Sequence, residues 1–180
     1  RLFEAGRKAG YRPRVVFTSS IAVFGAPFPP AIGDEFLNAP LTSYGTQKAI
    51  GELLLSDYSR RGFFDGVGIR LPTICVRPGK PNLAASGFMS SILREPLAGE
   101  TAICPVAPNT CMWVLSPQRA VDALIHAMEL PADRWGWNRT LNAPGIAVSV
   151  EQAPGVEAPA RWRRLGLHGP LVLTVGSIFN

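Results

Sequence analysis

The order of apolar and polar positions divides the first 150 residues into alternating strands and helices. Arg14-Val15-Val16-Phe17-Thr18-Ser19-Ser20 is a short run of β-branched and aromatic residues, the pattern of a strand inside a parallel sheet. Residues 25–40 are dense in proline and glycine and read as a loop. Thr42 or Ser43 then offers an N-cap, and a helix is expected to run to Arg60-Arg61 with Gly62 as its stop. Its residues Ile50, Leu53, Leu54 and Tyr58 fall at helical spacing. Phe64–Leu71 alternates around Val67 and Ile69 as a second strand. A Pro/Gly-rich loop follows, then a helix near 86–94 and short strands at Thr101–Val106 and Cys111–Leu115. Pro117 sits where another helix begins, with Val121, Leu124, Ile125 and Met128 as its expected buried stripe, and Leu141-Asn142 ends a last strand.

This alternation predicts an α/β protein with a mostly parallel sheet, about half of a doubly wound fold. The chain opens on Arg1 rather than Met, and Leu2, Phe3 and Ala5 before Ala9-Gly10 read as the last turns of a helix. The chain is therefore expected to be the C-terminal portion of a longer protein. Residues 1–150 form one partial domain. Residues 151–180 differ, because Pro154, Gly155, Pro159, Gly166, Gly169 and Pro170 interrupt any regular element. They read either as a small strand or hairpin packing on the body or as a tail outside the fold, and composition favours the tail.

Composition narrows the function classes. With 47% hydrophobic and 17% charged residues, the 180-residue chain has material for a packed core and too little charge for disorder. No apolar run approaches a membrane span, so a soluble chain is expected. No signal-peptide pattern is visible, and a cytoplasmic setting is expected. The net charge of +5 sits at the ends: residues 15–150 balance ten basic against ten acidic side chains. A nucleic-acid partner is therefore not expected. Cys75, Cys104 and Cys111 form no CxxC pair and there are only two histidines, which argues against a disulfide scaffold and against a metal site. His126 lies among apolar positions and reads as a partly buried packing residue.

The candidate chemistry lies in Ser20, Tyr44 and Lys48. Tyr44 and Lys48 are four residues apart, so on the expected helix both side chains share one face. An ammonium beside a phenol favours the phenolate, which suits a general base. Ser20 ends a strand at the edge where ligands of parallel sheets bind, and its hydroxyl can bond a substrate alcohol while the tyrosine takes the proton. A hydride must then leave the carbon, which requires an acceptor such as a nicotinamide. A tyrosine four residues before a lysine is also common by chance, and the spacing alone fits a half-buried core tyrosine beside a solvated lysine.

The context goes further. Thr18-Ser19-Ser20-Ile21-Ala22-Val23-Phe24-Gly25 followed by Ser43-Tyr44-Gly45-Thr46-Gln47-Lys48 resembles the extended short-chain dehydrogenase/reductase family, which includes nucleotide-sugar epimerases and dehydratases. The likeness runs from residue 1 to about 150. It implies the second half of a Rossmann-type sheet with a small C-terminal substrate-binding part, and bound NAD, with NADP left open. It also implies Tyr44 as base, Lys48 on the nicotinamide ribose and Ser20 on the substrate oxygen. Thr18, Leu71, Pro72 and Thr73 would then lie beside the cofactor. The family further implies a homodimer of the intact protein, paired through the tyrosine helix and its predecessor.

A narrower likeness lies in Arg70–Asn82 and Ala84-Ala85-Ser86-Gly87-Phe88. It resembles the branch that oxidises a hydroxyl of a small four-carbon sugar acid with NAD. A carboxylate substrate calls for an arginine fork, and Arg77 is placed to supply one. Lys80, Asn82 and Ser86 are further candidates, Asn82 for the substrate, and each also reads more simply as structural. The plain alternative for Arg77 is a surface arginine holding its loop. Near Trp113-Val114-Leu115-Ser116-Pro117 the aspartate of the nucleotide-sugar pattern is absent, which weighs against that substrate. No glycine-rich phosphate loop follows any strand here, so this chain alone is expected to bind NAD weakly or not at all. A nucleotide-sugar epimerase or dehydratase and an inactive fragment lacking the cofactor loop remain the alternatives.

Overall fold

A computed structural model describes residues 1–79, 85–153 and 171–173. Lys80 and Asn82, and residues 154–170 and 174–180 of the expected tail, lie outside the described residues. In chain order the elements are α1 (Leu2–Lys8), β1 (Arg14–Ser20), α2 (Ser43–Arg60), β2 (Asp65–Leu71), β3 (Thr73–Ile74), α3 (Phe88–Leu97), β4 (Ala102–Cys104), β5 (Cys111–Leu115), α4 (Pro117–Glu129), β6 (Thr140–Asn142), β7 (Ile146–Ser149) and β8 (Leu171–Leu173). They group into two units: Arg1–Pro72 with Gln118–Pro144, and Thr73–Pro117 with Gly145–Asn180.

The first unit is built on a parallel sheet in the order β1-β2-β6. Thr18 faces Ile69 and Ser20 faces Leu71 across β1 and β2, so both strands end together. The expected alternation of β2 does not translate into one covered face: all five interior residues are buried, Val67 and Ile69 among them, as in a strand covered on both sides. α2 starts where its sequence signals place it: the Thr42 hydroxyl accepts the Gly45 amide at 3.0 Å. It stops at Gly62, whose φ of +71° suits a residue without a Cβ. At the other end of the sheet, the Arg14 guanidinium pairs with Asp65 and bonds the Ala127 and Leu130 carbonyls at the end of α4. Arg139 bonds the second Asp65 oxygen at 2.9 Å. On α1, Arg7 and the Tyr58 hydroxyl of α2 both donate to Glu4 and hold its carboxyl down at about 2.

The faces of the two long helices differ from the expectation. α4 buries Ala120 and Ala127, while Val121, Ile125 and Met128 are about half exposed or more. The buried face is thus rotated by about one residue from the large apolar stripe, because alanines let a helix approach its neighbour more closely. His126, expected in a partly buried setting, is exposed. α2 likewise buries Gly45, Ala49, Glu52 and Leu55 and leaves Ile50, Leu53 and Leu54 outward.

The second unit has a mixed sheet, β3 parallel to β5 and β5 antiparallel to β7, and a parallel pair of β4 with β8. Its core gathers Phe88, Met89 and Ile92 of α3 with Ala102, Cys104, Val150 and Ala153. The sequence reading passed over β3 and β7. Residues from Ser149 make a turn in which the Gln152 amide bonds the Ser149 hydroxyl at 3.3 Å. Among the described residues no helix is long and apolar enough to cross a membrane, and no three His, Cys, Asp or Glu side chains group for a metal.

Candidate active site

The carboxyl end of β1 and the first two turns of α2 come together through one small residue. A Cβ on Gly45 would stand 2.0 Å from the Ala22 carbonyl oxygen, so only glycine lets α2 begin this close to the chain leaving β1. Gly45→Ala would ordinarily gain up to about 1 kcal/mol in a helix. Here the obstacle is backbone, and we expect a net loss of roughly 1–3 kcal/mol from overpacking, read as a lower urea midpoint of the complete protein.

That approach sets the position of the polar groups. The Lys48 ammonium donates to the Thr18 carbonyl at 2.6 Å and lies 5.6 Å from the Tyr44 ring centre and 5.2 Å from that of Phe17. Tyr44 is 55% exposed, and its hydroxyl makes no hydrogen bond among the described residues. Ser20 caps the short helical turn Ile21–Val23, its hydroxyl oxygen accepting the Ala22 amide at 3.2 Å, which leaves its O–H to donate elsewhere. Leu71 stands beside Ser20 at the end of β2, with Pro72 next in the chain. Thr18, Lys48 and Tyr44 are therefore gathered at one strand end, and Ser20 and Leu71 pair across it.

Beneath this surface lies a buried ionic cluster that sequence reasoning missed. Glu52 and Arg70 are each 5% exposed. Arg70 donates to Glu52 through Nε at 3.0 Å and Nη2 at 2.8 Å, to the Asp34 carbonyl at 3.1 Å and to Asn38 at 3.2 Å, with its guanidinium over the Phe24 ring. The Ser19 hydroxyl and the Asn38 amide both donate to Glu52. Asp34 in turn accepts the Asn142 amide at 2.6 Å. The pair thus fastens the loop of residues 25–40 to β1, α2 and β2. The available signals were a glutamate one turn beyond Lys48 and an arginine inside an otherwise apolar strand.

In the second unit Thr73 is buried and opens β3 opposite Val114. Arg77 follows β3 in a half-buried position. Its amide bonds the Ser90 hydroxyl at 3.0 Å, and its guanidinium has no ion pair or hydrogen bond among the described residues. Cys75 places its thiol against the Met89 carbonyl, and burial pushes that thiol's pKa up.

A parallel sheet whose strand ends meet a helix carrying Tyr44 and Lys48 defines half of a Rossmann-type domain. A model of the NAD dependent epimerase/dehydratase family matches residues 1–137, and the chain belongs to that family. It is 59% identical over 149 residues to the D-erythronate dehydrogenase of Cupriavidus necator, covering 83% of this chain and 46% of that protein. It is 50% identical over 151 residues to the D-erythronate dehydrogenase of Haemophilus influenzae, covering 84% and 48%. A crystal structure described as the nucleoside-diphosphate-sugar epimerase from Agrobacterium tumefaciens superposes with a TM-score of 0.85 at 54% identity, over 97% of this chain and 52% of that one. The chain thus spans about half the length of the proteins it matches.

The family implies a nicotinamide cofactor, and the donor set at β1 fits one end of it. The Lys48 ammonium has three N–H donors, of which the Thr18 carbonyl takes one, leaving others for ribose hydroxyls. For the pyrophosphate, these 180 residues hold no glycine-rich loop.

Proposed function

We propose that the protein oxidises a hydroxyl of a small sugar acid, D-erythronate or a close relative, with NAD. The observation that carries this reading is the placement of Lys48 between the Thr18 carbonyl and the Tyr44 ring at the end of β1, with the Tyr44 hydroxyl open. Tyr44 takes the proton of the substrate hydroxyl, and Ser20 donates to that oxygen and orients it. Lys48 holds the nicotinamide ribose and puts a positive charge beside the phenol. NAD, when bound, supplies the acceptor for the hydride that leaves the carbon. Thr18, Leu71, Pro72 and Thr73 line the nicotinamide, Arg77 holds the substrate carboxylate as a two-armed donor, and Asn82 adds a second contact. The names of the two relatives from Cupriavidus necator and Haemophilus influenzae support the choice of acid.

The description of the Agrobacterium tumefaciens structure favours a second reading, nucleotide-sugar epimerisation. Incubation of the complete protein with NAD and either D-erythronate or UDP-sugars separates the two. We expect NADH to accumulate with the acid and no sugar epimer to form; epimer formation without net NADH would overturn the dehydrogenase reading. We further propose a cytoplasmic homodimer. The outward Ile50, Leu53 and Leu54 of α2 support the dimer, and the free Cys75, Cys104 and Cys111 suit a reducing compartment.

A further inference from the structure

Arg77 is held by its backbone while its side chain has no partner among the described residues, and both backbone ties come from one helix. The Ser90 hydroxyl accepts the Arg77 amide at 3.0 Å. Arg94, one turn further along α3, donates from Nη1 to the Arg77 carbonyl at 2.6 Å. Ser90 and Arg94 stand at i and i+4, so a single face of α3 grips both sides of one residue. The grip is itself fixed. Ser90 is 2% exposed, and the other arm of Arg94 is bonded to Glu95, which is 7% exposed. Two residues earlier the Cys75 amide bonds the Leu115 carbonyl at 2.9 Å and its thiol meets the Met89 carbonyl, so the approach to Arg77 is fastened too.

Committing the buried Ser90 and the partly buried Arg94 to the amide and the carbonyl of one residue is unusual if that residue serves only to fill a surface, since burying polar groups costs free energy unless each is bonded. Ser90 and Arg94 each find that bond on Arg77. The guanidinium meanwhile has no partner among the described residues.

We infer that Ser90 and Arg94 are positioning residues that aim Arg77 at the carboxylate of the substrate, and so set the preference for an acid over its uncharged counterpart. The inference rests on the proposed role of Arg77. Neither α3 side chain touches the substrate. They act by holding the Arg77 main chain in the pose in which its two-armed donor is pre-organised, which lowers the ordering cost of binding.

The test uses the complete protein with NAD, comparing D-erythronate with its amide, which keeps the hydroxyls and removes the charge. Ser90→Ala and Arg94→Met are each expected to raise KM for the acid by roughly tenfold, with kcat, KM for NAD and KM for the amide unchanged. Arg77→Gln serves as the reference, with a rise in KM for the acid of about 10- to 100-fold. Ser90→Ala keeps the test decisive if Arg94→Met disturbs folding through Glu95. A rise that is equal for acid and amide, or no rise, overturns the positioning role while Arg77→Gln still shows its effect. If Arg77→Gln itself leaves KM for the acid unchanged, the carboxylate role of Arg77 falls and this inference with it. NADH formation in the unsubstituted protein is judged separately, so neither outcome is confused with loss of the dehydrogenase reading.

Discussion

Tyr44→Phe in the complete protein is expected to lower kcat with D-erythronate by about 10²–10⁴-fold, the range for loss of a positioned general acid or base, with an unchanged unfolding midpoint. The two halves of that result have separate causes. The phenyl ring keeps the contacts of a side chain that is already 55% exposed, and the hydroxyl being removed bonds nothing among the described residues. Folding therefore loses nothing. Only the proton transfer loses its acceptor, and that loss falls on kcat rather than on KM. Steady-state kinetics beside a urea titration reads both. Turnover within a factor of about two of the unsubstituted protein would remove Tyr44 from the chemistry and leave its spacing to Lys48 as a helical coincidence.

Much of the framework behind this expectation is legible along the chain. β1 shows as the run Val15-Val16-Phe17, and the ends of α2 show through the Thr42 cap and the Gly62 stop, because these are local preferences that no neighbour overrides. The Tyr44–Lys48 pair is legible for the same reason: one helical turn fixes its geometry. Which face of a helix is covered is not local. Ala49, Leu55, Ala120 and Ala127 are buried while Leu53, Val121 and Met128 face outward, since periodicity reveals an apolar stripe but not what packs against it. β7 was missed because it pairs antiparallel with β5 and leaves Ile146 largely exposed, so it carries no buried apolar run. The Glu52–Arg70 pair needed the packing of α2 on β2, which neither segment announces by itself.

That pair carries the largest expected effect on stability. Arg70→Met leaves the Glu52 carboxylate buried with its main counter-charge gone, and breaking a buried pair from one side costs about 3–5 kcal/mol. Surface ion pairs of the kind that join Arg60 to Asp57 contribute at most about 1 kcal/mol by comparison. Removing both charges, as Glu52→Leu with Arg70→Met, eliminates the unpaired carboxylate. The double variant is therefore expected to unfold at a higher urea concentration than Arg70→Met alone, a coupling between contacting residues that additivity would not give. Catalysis is expected to behave differently. The Ser19 hydroxyl, the Asn38 amide and the Asp34 carbonyl lose their partners in the double variant as well. The loop of residues 25–40 and the strand end that carries Ser20 are then no longer fastened together. Stability should thus recover while kcat stays low. Recovery of both would make Glu52 and Arg70 a stabilising pair alone, and recovery of neither would mean that the fold depends on the hydrogen bonds of the cluster more than on its charges.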